Sequence, residues 1–305
     1  MRRRISLTVL VLVLAGVASR GTAQNAEPPR ADDRVPTPEE IRALADRAIA
    51  NQHSDDAALE TYEVIERRMV RSRGKSQTFL EDKTYRVVPT GTGTLKLQLK
   101  DHVRPVTAEA YRQELQAWEE GLAAALRTDD PGTKVQLAKQ QKKRKDRADL
   151  VDAARQAFHA TWGGRETRDG RALDKLLLEP NPQFQPRSNS AEMLTHARAT
   201  IWIDEQSGHL ARAEADIIRD ISFGAGILGK VYRGGHLSLE QTEVAPGVWL
   251  PTRYQYDFAG RKFLFGFEVH NLIEDTHYRR LGSTSQALEV ARHDLANAGE
   301  FSGDP

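Results

Sequence analysis

The chain has 305 residues, 44 lysines and arginines against 43 aspartates and glutamates, and no cysteine. That length allows one large all-β domain or two average ones, and so even a charge balance does not choose its partners. Without cysteine, disulfides, thiolate metal sites, a cysteine nucleophile and a lipid-modified cysteine are all excluded.

The first 23 residues have the make-up of a secretory signal. Arg2, Arg3 and Arg4 precede an apolar run over about 5–17 and a small-residue exit, Gly21-Thr22-Ala23. The run is shorter than the roughly 20 residues that span a bilayer, and Arg20 interrupts its far end. A signal cleaved near Ala23 is therefore expected, with export to the periplasm and no transmembrane segment in the mature chain. Loss of Arg2, Arg3, Arg4 and Arg20 with the signal turns the formal +1 slightly negative. Residues 24–38, rich in Pro, Ala and charge, read as a flexible leader.

Thr37-Pro38-Glu39-Glu40 is a helix start: a capping hydroxyl, proline in the first turn, and acids on the positive end of the dipole. Ile41, Leu44, Ala45, Ala48 and Ile49 then share one helical face. Strands are expected at about 59–72, 78–88 and 94–103. In the third, Leu95, Leu97, Leu99 and Val103 alternate with Lys96, Gln98, Lys100 and His102, the mark of a strand with one buried face.

The period then changes, with helices over 108–126 and 134–162 broken by Asp129-Asp130-Pro131-Gly132. The second carries Lys139, Lys142, Lys143, Arg144, Lys145 and Arg147; a solvated face is the expected role, ahead of contact with anionic lipid headgroups. Leu150, Val151, Ala154, Phe158 and Trp162 have the spacing to pack on the sheet. Nucleic acid is not an expected partner.

A strand over 172–178 ends in Glu179-Pro180-Asn181-Pro182. A β meander follows over 197–204, 210–221, 234–244, 248–258 and 262–278, with turns at Glu205-Gln206-Ser207-Gly208, Ala245-Pro246-Gly247 and Ala259-Gly260-Arg261. A helix near 285–296 precedes a disordered 299–305. Mainly β with α is the expected class: a curved antiparallel sheet or unclosed β-barrel covered by helices.

Several chemical motifs fail on context. Gly224-Ala225-Gly226-Ile227-Leu228-Gly229-Lys230 nearly spells a phosphate loop, but Val231 stands where Ser or Thr would hold magnesium, and no helix follows. Nine histidines include no H-E-x-x-H pair, and His236, His270 and His277 are scattered. Ser222 lacks the first glycine of G-x-S-x-G. Asp204, Glu214 and Asp216 suit turns and solvent-facing strand positions better than acid/base work. No catalytic residue, metal or cofactor is expected.

Three passages resemble the periplasmic outer-membrane lipoprotein-sorting superfamily: Ile201-Trp202-Ile203-Asp204-Glu205-Gln206-Ser207-Gly208-His209-Leu210 followed by Arg212 and Glu214; Gly234-Gly235-His236-Leu237; and Gly247-Val248-Trp249-Leu250-Pro251-Thr252. The resemblance covers roughly 201–278. It implies an unclosed β-barrel lidded by helices, and carriage of acyl chains in an apolar cavity. On it, residues 39–281 form one carrier-like domain with a helical insertion at about 108–162, and 282–305 form a tail.

The expected function is a periplasmic binding or carrier protein for a lipid, lipoprotein acyl chain or other amphiphile, not an enzyme, with a lipid or acylated protein as partner. A non-catalytic envelope scaffold is the alternative, and an unrecognised hydrolase the third reading. The candidate cavity wall is Leu95, Leu97, Trp202, Leu237, Leu239, Trp249, Tyr254, Phe263, Phe265 and Phe267, although aromatic strands also make ordinary cores.

Overall fold

The computed structural model describes residues 34–71, 79–101, 106–223, 229–263 and 265–298. The signal, residues 24–33 of the leader, His102 and Val103, the 224–228 part of the near phosphate loop and the 299–305 tail lie outside them. The described chain is mainly β, an antiparallel sheet that is not closed, with helices. Its elements are α1 (Pro38–Leu59), β1 (Tyr62–Arg71), β2 (Phe79–Pro89), β3 (Thr94–Asp101), α2 (Ala108–Ala125), α3 (Pro131–Ala157), β4 (Phe158–Arg168), β5 (Arg171–Pro180) and α4 (Asn189–Leu194). After these come β6 (Ala197–Asp204), β7 (Leu210–Ile217), β8 (Ile221–Phe223), β9 (Gly229–Val231), β10 (His236–Ala245), β11 (Val248–Lys262), β12 (Phe265–Arg280) and α5 (Thr284–Ala296).

The chain divides into two compact units. Unit 1 comprises residues up to His53 together with Asp149–Val269, and unit 2 comprises Ser54–Ala148 together with His270–Pro305. Strand order is β3-β2-β1-β12-β11-β10-β7-β6-β5-β4, with β9 pairing to β11 and β8 to β9. β12 belongs to the run of each unit, and β3 and β4 end the order.

In unit 2, β1 pairs with β12 between residues more than two hundred positions apart, Tyr62 opposite Arg280 and Val70 opposite Asn271. Leu97 and Leu99 of β3 face Leu115, Trp118 and Leu122 of α2, and Ala287, Leu288 and Ala291 of α5 complete that core. Trp118 is fully buried, and its indole N–H donates to the Pro89 carbonyl at 2.9 Å. Arg86 lies over the same ring at 5.0 Å and pairs with Glu63 at 2.7 Å and Asp294 at 2.6 Å. A capping box of Ser283 and Gln286 starts α5.

The basic run on α3 is partly spent inside unit 2. Arg144 Nε donates to Glu60 at 2.8 Å, Arg147 meets Asp56 at 3.0 Å, and Lys142 pairs with Asp146 one turn on at 2.7 Å. Lys139 and Lys143 remain on an exposed face.

In unit 1, Thr37 and Glu40 cap α1 reciprocally, the hydroxyl accepting from Glu40 N at 3.3 Å and the carboxylate from Thr37 N at 2.8 Å. Ile41 and Ala48 then pack on Leu176 and Ile203. The chain departs from the expected elements in two informative places. The expected helix over 134–162 stops at Ala157, because Phe158, Ala160 and Trp162 alternate with His159 and Thr161 and pair with β5. Gly163-Gly164 lies within β4 as a bulge, at the register shift between Trp162 and Arg165. The expected turn at Ala259-Gly260-Arg261 is strand. Gly260 is there because the Lys230 carbonyl of β9 and the Phe267 ring both crowd it: a Cβ would meet that carbonyl first and stand 2.6 Å from the ring. The chain reverses three residues later, at Phe263.

Candidate ligand-binding cleft

Unit 1 holds a cleft of about 1340 Å³ between α1 and one face of β4–β7. α1 contributes Ile41, Ala45 and Ile49; the sheet contributes Phe158, Ala160 and Trp162 from β4, Leu178 from β5, Ile201 from β6, and Leu210 and Ala213 from β7. These positions share a face because the ladder is in register: Trp162 lies opposite Leu176, Leu176 opposite Ile201, and Ile201 opposite Ala213. Their floor is apolar by alternation alone. At the rim stand Arg42, Asp46, Arg155, His159 and Arg187. The rim segment 181–187 is held by Asn181, whose backbone N donates to the Ala157 carbonyl at 2.8 Å and whose side-chain amide donates to the Gln156 carbonyl at 2.9 Å.

α1 is fastened at several points. Arg47 donates to the carbonyls of Glu205 at 3.1 Å and Gln206 at 2.9 Å, and Asn51 donates to that of Ser207 at 3.1 Å. Gly208 has φ +73°, and a Cβ there would overlap the Arg47 guanidinium. The α3 side is tied by Arg155 to Asp46 at 2.5 Å and His53 to Asp152 at 2.9 Å.

Carboxylates named from the sequence have structural partners. Asp204 closes the β6–β7 turn, accepting from Ser207 N at 2.8 Å and Ser207 Oγ at 2.7 Å. Burial opposes its ionisation, but those bonds and Arg171 outweigh it and hold its pKa below the ordinary carboxylate range. Glu214 pairs with Arg212. Asp216 stands 3.6 Å from His236, and burial raises its pKa against that partner's pull. Among the described residues no group of three or more His, Asp or Glu gathers as metal ligands, and no helix is long and apolar enough to cross a membrane.

The ten residues proposed as cavity wall fall in different places. Leu95 and Leu97 belong to the unit 2 core. Leu239 and Tyr254 continue the Ile201–Ala213 row across β10 and β11 on the cleft's face of the sheet, with Leu237 in the next row opposite Ala215 and Tyr256. Trp202 has opposite parity to Ile201 and lies between Lys175 at 5.2 Å and Arg212 at 4.9 Å. Trp249 stacks on His209 at 5.7 Å, beneath Arg171. Phe267 meets Phe258 edge to face at 6.2 Å, whereas Phe263 and Phe265 are 52% and 79% exposed. None of the ten lines the cleft itself. Its α1 wall was visible as a shared helical face, while its β4 wall lay hidden in a segment read as helix.

No protein-family model matches the chain, and no curated protein matches it. Solved structures similar to it include a LolA superfamily protein from Nitrosomonas europaea, at 7% identity over 81% of this chain and 96% of that chain, with a TM-score of 0.31. A DUF1329 family protein from Desulfovibrio piger is 13% identical over 79% and 92%, with a TM-score of 0.30. An outer membrane lipoprotein-sorting protein domain from Vibrio parahaemolyticus is 7% identical over 81% and 99%, with a TM-score of 0.32.

Proposed function

We propose that unit 1 binds an amphiphile, a lipid or the acyl chain of a lipoprotein, and carries it in the cell envelope after export, with no chemical step of its own. The observation that carries this reading is the cleft of about 1340 Å³, with an apolar floor and a charged rim. Apolar walls with a few polar groups at the mouth are the general form of a small-molecule site. Each methylene moved from water onto Ile41, Ile49, Phe158, Trp162 and Ile201 contributes about 0.8 kcal/mol. Arg187 at the mouth suits a polar headgroup left in water.

Titration with a fluorescent fatty acid tests this. Saturable binding is expected, and Ala160→Trp, which fills the floor, weakens it about tenfold or more. Absence of saturable binding, or equal binding by the filled variant, sinks the reading.

A further inference from the structure

The β11–β12 hairpin ends in a feature that the cleft does not use. Phe263 and Phe265 point into solvent at 52% and 79% exposure. Phe263 also has φ +54°, a left-handed conformation that costs a bulky residue energy. A glycine would relieve that cost, and an aromatic ring half in solvent returns little to the fold. Strain kept for an exposed aromatic points to use outside the fold.

The surroundings specify the partner. β9 pairs beside this end of β11, Lys262 opposite Gly229 and Arg261 opposite Lys230. Arg261, Lys262 and Lys230 therefore stand behind the tip, with Tyr232, at 38% exposure, and Arg233 further back along the same segment. Asp220 offsets part of this charge, pairing with Lys230 at 2.7 Å and accepting from Arg233 N at 2.8 Å, and Glu268 lies further along β12. Two ring side chains on a narrow strand end are far short of the roughly 800 Å² per partner that a stable protein interface buries. They do suit the headgroup boundary of a bilayer, where aromatic rings enter and cations behind them meet anionic phosphates.

We infer that the β11–β12 hairpin tip is a membrane-surface contact, in which Phe263 and Phe265 enter the interfacial layer of an anionic bilayer and the basic residues behind them meet its headgroups. This is independent of whether the unit 1 cleft holds an amphiphile.

The full chain is mixed with phosphatidylcholine vesicles with and without phosphatidylglycerol, and bound protein is measured by sedimentation. The chain lacks cysteine, so Phe265→Cys takes a single polarity-sensitive fluorophore at the tip. Residues 1–23 are common to every form and cancel in the comparison. Preferential binding to phosphatidylglycerol vesicles, weakened by salt, is expected, with a blue shift of the label. Phe263→Ser with Phe265→Ser weakens it about tenfold or more, and Phe263→Gly weakens it several-fold without lowering the melting temperature. Equal vesicle binding by the double variant overturns the inference. So does a label that ignores vesicles, or one whose shift follows protein concentration alone, which would mark a contact between copies of the chain.

Discussion

Gly208 and Arg47 show how one residue without a side chain fixes the wall of the cleft. Any Cβ at 208 displaces the guanidinium that holds the Glu205 and Gln206 carbonyls. Gly208→Ala is expected to cost about 1–3 kcal/mol, from the left-handed backbone and the lost hydrogen bonds together. A lower melting temperature with faster proteolysis within α1 would register it; an unchanged melt would contradict it.

Asp275 in unit 2 makes a second residue-scale prediction. Burial, reinforced by Glu66 directly opposite on β1, pushes its carboxyl up to about 8, while Lys96 and the hydrogen bond with Tyr278 pull the other way. The folded form thus holds a proton that an unfolded aspartate releases near pH 3.9. Because the folded pKa is the higher one, this contribution is fully present below about pH 4 and is lost as pH rises through about 8. Urea unfolding across that range should show stability falling with pH in the wild type and a flatter profile in Asp275→Asn; equal slopes would refute the assignment. None of this was legible in the sequence, since Asp275 matters only because a strand more than two hundred residues away delivers Glu66 to it.

At the scale of elements, the helices carry the firmest stability predictions. Trp118→Ala removes a fully buried ring, its bond to Pro89 and its contact with Arg86. A loss of about 3–5 kcal/mol is expected by chemical denaturation. Ser283→Ala breaks the cap of α5 and should cost about 1 kcal/mol. Caps and one-faced elements were readable from the sequence, as Thr37 to Glu40 of α1 and the alternation of Leu95, Leu97 and Leu99 in β3 illustrate. Boundaries were not, where two periods fit the same residues. Leu150, Val151, Ala154 and Phe158 satisfy helical spacing, yet Phe158, Ala160 and Trp162 satisfy strand spacing, and pairing with β5 decides for strand from Phe158 onward. Likewise Gly260 has a turn's composition, but its reason is the Lys230 carbonyl and the Phe267 ring packed against it. The same shift of the turn leaves Phe263 and Phe265 outside any core.

For the whole molecule, the informative fact is that each unit is discontinuous in sequence. Unit 2 needs β12 and α5 from the end of the chain to complete a sheet and core begun by β1, β2, β3 and α2. Truncation after Val269 is therefore expected to unfold residues 54–148, seen as rapid proteolysis there; a protected fragment would contradict it. Such pairings carry no local signal, because closing a long loop leaves no mark on either strand. The antiparallel meander could be read from alternation and turns, but the cleft required knowing that α1 returns to lie over β4–β7.

The central claim is that the unit 1 cleft holds an amphiphile. Native mass spectrometry of the protein purified from bacterial envelope extracts, followed by solvent extraction and lipid analysis, tests it most directly. The account predicts a stoichiometric lipid or fatty acyl species released with the wild type and lost in Ala160→Trp. A folded wild type that carries none, and takes up none when offered envelope lipids, would contradict it.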